Sequence, residues 1–136
     1  MLRKFTIISL LILMISTITS CESENSIGLW EDNIKLSEKQ VEFSSNKNSI
    51  VINTEGKWWW VHEVSLDRNS NFNINKIDTS ANNFIIEETE FRIERKNTTE
   101  IHIQMTKNKT NSERILLIDL ESGNYFDRIK IIQAGI

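Results

Sequence analysis

Short stretches in which apolar and polar residues alternate run through most of the chain. A period of two places successive side chains on opposite faces of a β-strand. The alternation predicts strands at residues 34–37, 41–43, 49–54, 57–66, 84–86, 90–94, 100–105, 114–120 and 129–133. Polar turns separate them, and no helical periodicity is convincing. About seven to nine short strands indicate an all-β, immunoglobulin-like antiparallel β-sandwich.

The segment 57–66 contains three of the four tryptophans in one run. Strict alternation places on one face Trp58, Trp60, His62, Val64 and Leu66, and on the other Trp59, Val61, Glu63 and Ser65. Both faces carry apolar residues, so the pattern does not decide which face is buried. We predict that the indoles are mainly core, with Trp58, beside the turn, as the candidate for solvent. Trp30 is expected to pack over one end of the sandwich.

An exposed aromatic ring is the natural platform for a sugar, because the C–H face of a pyranose packs on an indole. The candidate ligand-binding residues are therefore Trp58 and Trp60, joined by Tyr125 and Phe126 from the last hairpin. For the hairpin pair, we favour the alternative that they pack within the hairpin. The polar segment 67–83 is long for a loop, and long loops often have a function of their own.

Composition and charge exclude several classes of function. Of the 136 residues, 39% are hydrophobic and 26% are charged, which is typical of a soluble globular protein. The formal net charge is −3, and removal of residues 1–20 would leave 14 basic and 19 acidic residues, or −5. A nucleic-acid partner is not expected, since it would need a basic patch. A single cysteine, Cys21, allows no intramolecular disulfide.

Residues 1–20 have the pattern of a signal peptide. Arg3 and Lys4 precede an apolar run at 5–19, which is shorter than the ~20 residues of a membrane-spanning helix. Ile18-Thr19-Ser20-Cys21 resembles the bacterial lipobox. That resemblance implies cleavage before Cys21 and a lipid anchor on its thiol and amine. The predicted organisation is a signal peptide at 1–20, a lipidated cysteine and tether at 21–33, and the sandwich at 34–136.

The anchor would place the protein on a membrane of the cell envelope, and the outer membrane is expected. Acidic residues after the cysteine, Glu22 and Glu24, lean toward display on the outside. Both periplasmic and surface-exposed display remain open.

Metal and catalytic patterns are weak. Calcium ligands would be supplied by Asp67, Asn69, Asn71 and Asp78, with Asn75 between the last two, at the spacing of a calcium loop. Phe72 stands where that loop needs Gly, so calcium is only a minor alternative and no metal is expected. The two histidines, His62 and His102, lie on different strands without ligand spacing. No nucleophile turn or paired-carboxylate context is present, so we expect neither an enzyme nor a cofactor.

Residues 34–136 resemble the BACON domain, a module of Bacteroidetes lipoproteins and polysaccharide-utilisation proteins. The resemblance is carried by the motif at 34–37, Gly56, Trp59-Trp60-Val61, Val64, Phe91-Arg92-Ile93, Glu113-Arg114, Gly123 to Asp127 and Ile129 to Gly135. Its most recognisable parts are Arg114 and the closing Gln133-x-Gly135. It implies an immunoglobulin-like sandwich that binds carbohydrate or mucin, or that serves as a spacer.

Two functions follow from these patterns. One is a non-catalytic envelope module that contacts a glycan or a partner protein through an aromatic patch or the segment 67–83. The other is a structural or interaction lipoprotein without a glycan ligand. Exposure of the candidate aromatic residues discriminates between them.

Overall fold

The computed structural model describes residues 31–136. The predicted signal peptide, Cys21, Trp30 and most of the tether lie outside the described residues. The strands are β1 (Gln40–Phe43), β2 (Asn48–Asn53), β3 (Trp60–Leu66), β4 (Phe84–Glu87), β5 (Phe91–Lys96), β6 (Glu100–Met105), β7 (Arg114–Ser122) and β8 (Tyr125–Gln133). A short 3₁₀ helix (Ile74–Lys76) lies between β3 and β4.

Two four-stranded sheets form a β-sandwich, which confirms the predicted fold class. The first sheet has the order β1-β8-β7-β3 and the second β2-β6-β5-β4. Every pairing between these strands is antiparallel except that of β1 with β8, which is parallel. In β5 and β6 each second residue is buried, as the alternation predicts, and the inward side chains of both sheets form one core.

The predicted strand at 34–37 is absent, and only one isolated bridge joins Leu36 to Thr54. Asp32 Oδ1 accepts hydrogen bonds from the backbone N–H groups of Ile34, at 3.0 Å, and Lys35, at 2.7 Å. Lys35 has a φ of 52°, which turns the chain out of the extended conformation. The alternation is nevertheless informative, because Ile34 is fully buried.

A β-bulge in β3 overturns the predicted faces of the tryptophan strand. Its register against β7 shifts between Val61 and Glu63, so His62 is an extra residue and both His62 and Glu63 are exposed. The alternation therefore changes phase halfway along the strand. The buried set combines Trp59 and Val61 from one predicted face with Val64 and Leu66 from the other.

The segment 67–83 is docked on the sandwich rather than extended into solvent. Phe72, Ile74 and Ile77 pack against the core, and the Phe72 ring meets Phe91 edge-on at 5.0 Å. The buried Thr79 hydroxyl donates to the Val61 carbonyl at 3.0 Å.

At the end of the sandwich opposite the start of β3, a buried side-chain amide joins neighbouring segments through hydrogen bonds. Gln133 is fully buried. Its side-chain oxygen accepts two hydrogen bonds from Arg114, at 3.0 and 2.5 Å, and its nitrogen donates to the carbonyls of Asn46 and Thr106. A Cβ on Gly135 would lie 2.7 Å or less from the backbone of Asn111. The two most recognisable features of the family resemblance thus have a packing role here.

Candidate functional site

The start of β3 lies at one end of the sandwich, beside a groove of about 470 Å³. Three separate segments form its walls: the turn before β3, the segment before β4 and the turn between β5 and β6. The groove is lined by Lys57, Trp58, Trp59, Trp60, Ser80, Asn82 and Thr98. It combines aromatic surface with hydroxyl, amide and ammonium groups.

Trp58 is the most exposed large hydrophobic residue of the described chain, at 89%. Its backbone is held in spite of that exposure. Three consecutive carbonyls here accept hydrogen bonds from side chains. The Arg95 guanidinium donates to the carbonyl of Lys57 at 2.7 Å and to that of Trp59 at 2.9 Å. The Ser122 hydroxyl donates to the carbonyl of Trp58 at 2.5 Å. The exposed indole is therefore carried by a fixed platform, which lowers the entropy lost when a ligand binds.

Trp59 points the other way and forms the floor of this end. Its side chain is 2% exposed, and its indole N–H donates to Thr54 Oγ1 and the Gly56 carbonyl, both at 3.1 Å. The guanidinium of Arg95 lies 3.6 Å from the centre of its ring. This is a cation–π stack, and burial strengthens such contacts.

Arg95 joins the three walls of the groove. Besides the carbonyls on either side of Trp58, its guanidinium donates to the carbonyl of Thr98 at 2.8 Å and, at 3.3–3.4 Å, to those of Ser80 and Ala81. Burial lowers the pKa of Arg95 to about 10, so the side chain is charged at neutral pH. Within residues 31–136 it makes no ion pair, and backbone carbonyls satisfy its donors.

Arg95 was not predicted from the sequence. The alternation that turns Phe91 and Ile93 inward also turns residue 95 inward, so the signal was available two residues further along β5. A charged residue at an inward position needs buried partners. Here the partners are main-chain carbonyls, which no residue pattern reveals.

The structure separates the four predicted ligand-binding residues. Trp58 and the half-buried Trp60 share the groove. Phe126 is 56% exposed, but it lies two strands away from Trp60, because both residues pair with Glu121 of β7. Tyr125 faces inward and packs against the core, and its hydroxyl lies 3.3 Å from Asp127 Oδ2.

Phe126 instead contacts His62, whose ring it meets edge-on at 5.5 Å. His62 Nδ1 lies 2.8 Å from Glu121 Oε2. The groove and this contact are thus two distinct features at the same end of the molecule.

Three of the candidate calcium residues, Asp67, Asn69 and Asp78, accept hydrogen bonds from backbone N–H groups through their side-chain oxygens. Asp67 Oδ1 accepts from the N–H of Ile115 at 2.7 Å, Asn69 Oδ1 accepts from the N–H of Asn71 at 3.2 Å, and Asp78 Oδ1 accepts from the N–H of Ser80 at 3.1 Å. In the part of the chain that the structure describes, no three His, Cys, Asp or Glu residues are grouped as metal ligands would be.

A second depression of about 340 Å³ crosses the outer face of the β2-β6-β5-β4 sheet. It is lined by charged and polar side chains, among them Arg92, Glu94 and His102, and Arg92 is paired with Glu87 and Glu94. Its lining has the imidazole of His102 but no Trp, Tyr or Phe, so it lacks the broad apolar platform that the groove beside Trp58 provides.

Comparisons with known proteins concern the fold. No family model matches the chain, and no curated protein matches it. The chain is similar to a protein from Bacteroides thetaiotaomicron solved by NMR, with a TM-score of 0.63 and 22% identity over 85% of this chain and 98% of that one. At that identity the likeness shows the fold alone.

A second similar structure is a Bacteroides ovatus GH5 xyloglucanase in complex with a XXXG heptasaccharide. The TM-score is 0.48 and the identity 12%, and the match covers 76% of this chain but only 19% of the enzyme. Between residues 31 and 136, no helix has the length and hydropathy needed to cross a bilayer.

Proposed function

We propose that this protein is a non-catalytic, BACON-like binding module that is lipid-anchored in the cell envelope through Cys21, and that it binds carbohydrate in the groove beside Trp58. The observation that carries the proposal is the 89% exposure of Trp58 on a backbone whose three consecutive carbonyls are fixed by buried donors. Such an exposed indole costs solubility, whereas a rigid aromatic platform is what a sugar ring requires.

The polar lining supports a sugar ligand. Ser80, Asn82 and Thr98 offer hydroxyl and amide groups, and Lys57 offers an ammonium group. The hydroxyl and amide groups both donate and accept hydrogen bonds and the ammonium group donates them, which matches the hydroxyl groups of a saccharide.

The groove has no chemistry for cleavage. Glycoside hydrolysis requires two carboxyl groups on either side of the scissile bond. No aspartate, glutamate or histidine is among the residues that line the groove. This lining supports binding without catalysis.

A glycan array tests the proposal most simply. The probe is the chain from residue 21 to 136 carrying Cys21→Ser, which has neither the predicted signal peptide nor lipid, compared with the same chain carrying Trp58→Ala. A central tryptophan contributes ~2 kcal/mol to a binding site, so Trp58→Ala is expected to weaken binding about thirtyfold. Because the indole is exposed, the variant should keep its stability within ~0.5 kcal/mol.

The matched control is Ile85→Ala, which shortens an exposed apolar side chain on the other sheet and should leave binding unchanged. If the array stays silent across host, dietary and envelope polysaccharides, the proposal is wrong, and the alternative of an interaction lipoprotein without a glycan ligand takes its place. Equal binding by the Trp58→Ala variant would mean that the groove is not the site.

A further inference from the structure

The described chain begins at the same end of the sandwich as the groove. Asp32 approaches Lys39, whose Nζ lies 2.8 Å from Asp127 of β8. The Ile34 carbonyl accepts from the Gly56 N–H at 3.1 Å, and a Cβ on Gly56 would lie 1.9 Å from the Asn33 carbonyl oxygen. Gly56 is only two residues from Trp58 along the chain, so the entering segment is fixed against the turn that carries the exposed indole.

The strand directions make this end unambiguous. β3 starts here and β7 ends here, and the β7–β8 hairpin turns here at Gly123. The nine residues of β8 then run about 30 Å to the opposite end, at ~3.3 Å per residue. The amide network around Gln133 lies at that far end.

The distance from the predicted anchor restricts how the sandwich can face a membrane. Ten residue steps separate Cys21 from Glu31, and they span at most about 35 Å. If the far end of the sandwich faced the membrane, the chain between Cys21 and Glu31 would have to run back along the strands. That path is about 30 Å long, which is almost the full extended length of these residues.

The exposed aromatic residues are distributed in agreement with that geometry. Both Trp58 and Phe126, the two aromatic residues among the exposed large hydrophobics of the described chain, lie at the entering end. Trp58 has the polar N–H edge that favours the headgroup layer of a bilayer, whereas Phe126 adds only apolar surface beside it. Two lysines of this end are paired, Lys35 with Glu55 and Lys39 with Asp127, and Lys57 lines the groove itself, so this end has no basic patch and contact would depend mainly on the aromatic residues.

We infer that the groove faces the membrane that holds the anchor, and that its ligand is the sugar headgroup of a glycolipid in that membrane. The inference rests on the proposed sugar site and on lipidation of Cys21. A free polysaccharide offers the same sugar chemistry, but it would have to enter between the domain and the bilayer. A headgroup sugar is already at the height at which the geometry places Trp58.

The test uses the lipidated full chain in vesicles of phosphatidylethanolamine and phosphatidylglycerol, with and without lipopolysaccharide. The readout is quenching of Trp58 fluorescence by acrylamide, taken as the difference between the chain and its Trp58→Phe variant. The Cys21→Ser chain mixed with the same vesicles is the control. We expect Trp58 to lose most of its quenching in the anchored chain, and to lose more of it when lipopolysaccharide is present.

Three outcomes decide the inference. Stronger protection in the presence of lipopolysaccharide supports it. Unchanged quenching on vesicles overturns the orientation, and equal protection on both kinds of vesicle overturns the glycolipid ligand. Binding of free glycans by the Cys21→Ser chain is a separate result, so the proposed function can stand when this inference falls.

Discussion

Replacing Arg95 by Met is expected to destabilise the domain far more than any exposed charge would. The variant keeps apolar contact with Trp59 but removes the donors to the carbonyls of Lys57, Trp59 and Thr98. A buried carbonyl without a partner costs ~1–3 kcal/mol. We count ~2 kcal/mol for the buried Trp59 carbonyl and ~1 kcal/mol for each of the carbonyls of Lys57 and Thr98, which lie at the groove. The unfolding free energy should then fall by about 4 kcal/mol, out of the ~5–15 kcal/mol of a typical domain.

Two companion variants separate this mechanism from general damage to the core. Arg95→Lys keeps the charge and can reach one or two of the carbonyls, so its loss should be about half as large. Arg92→Met removes an arginine three residues away on the same strand, where the side chain lies on the outer face, is partly exposed and is paired with Glu87 and Glu94, and should have a much smaller effect.

The assay is equilibrium unfolding in guanidinium chloride, followed by tryptophan fluorescence and by far-UV circular dichroism. A loss of about 4 kcal/mol would lower the thermal midpoint by about 15 °C. The reasoning is refuted if Arg95→Met unfolds at the same denaturant concentration as Arg92→Met. When both members of a buried ion pair are replaced by apolar residues, the stability of a protein often changes little. Arg95→Met is different, because the partners of Arg95 are backbone carbonyls, which stay in place without a donor.

Two further predictions concern the entering segment. Gly56→Ala places a Cβ 1.9 Å from the Asn33 carbonyl oxygen and should lower the unfolding free energy by ~1–3 kcal/mol. Its control is Gly123→Ala, whose Cβ meets nothing within 4 Å although Gly123 has a φ of +62°. Gly56→Ala should have the lower thermal midpoint of the two, and the reverse order would contradict the packing. The hydrogen bond to Asp127 raises the pKa of Lys39 above its usual 10.5, so this pair stabilises the fold at neutral pH and ceases to do so as the pH rises through that raised pKa. The difference in unfolding free energy between the chain and Lys39→Met should therefore be constant between pH 7 and pH 10.5 and vanish above the raised pKa, and a difference that persists at higher pH would disprove the assignment.

The fold class could be predicted because alternation is a local property of each strand. In β6 the alternation places Ile101, Ile103 and Met105 on one face, and all three are buried, since a regular strand between two partners keeps its phase. The prediction fails at His62, where a bulge depends on the register with β7 rather than on the residues of β3.

The candidate site was predicted only in part. Trp58 was singled out for solvent because it adjoins a turn, and the structure agrees. Arg95 was missed because its partners lie up to 38 residues away and belong to the main chain. The walls of the groove come from three segments that only the folded chain brings together, so their meeting could not be deduced from spacing.

A backbone amide NMR titration tests directly whether carbohydrate binds in the groove beside Trp58. The Cys21→Ser chain is titrated with the oligosaccharide that binds best on the array. We predict that the largest shift changes fall on residues 57–60, on 80–82 and around Thr98, and that the Trp58→Ala variant needs about thirtyfold more oligosaccharide to reach them. Shift changes confined to the outer face of the β2-β6-β5-β4 sheet, or to the far end around Gln133, would contradict this prediction.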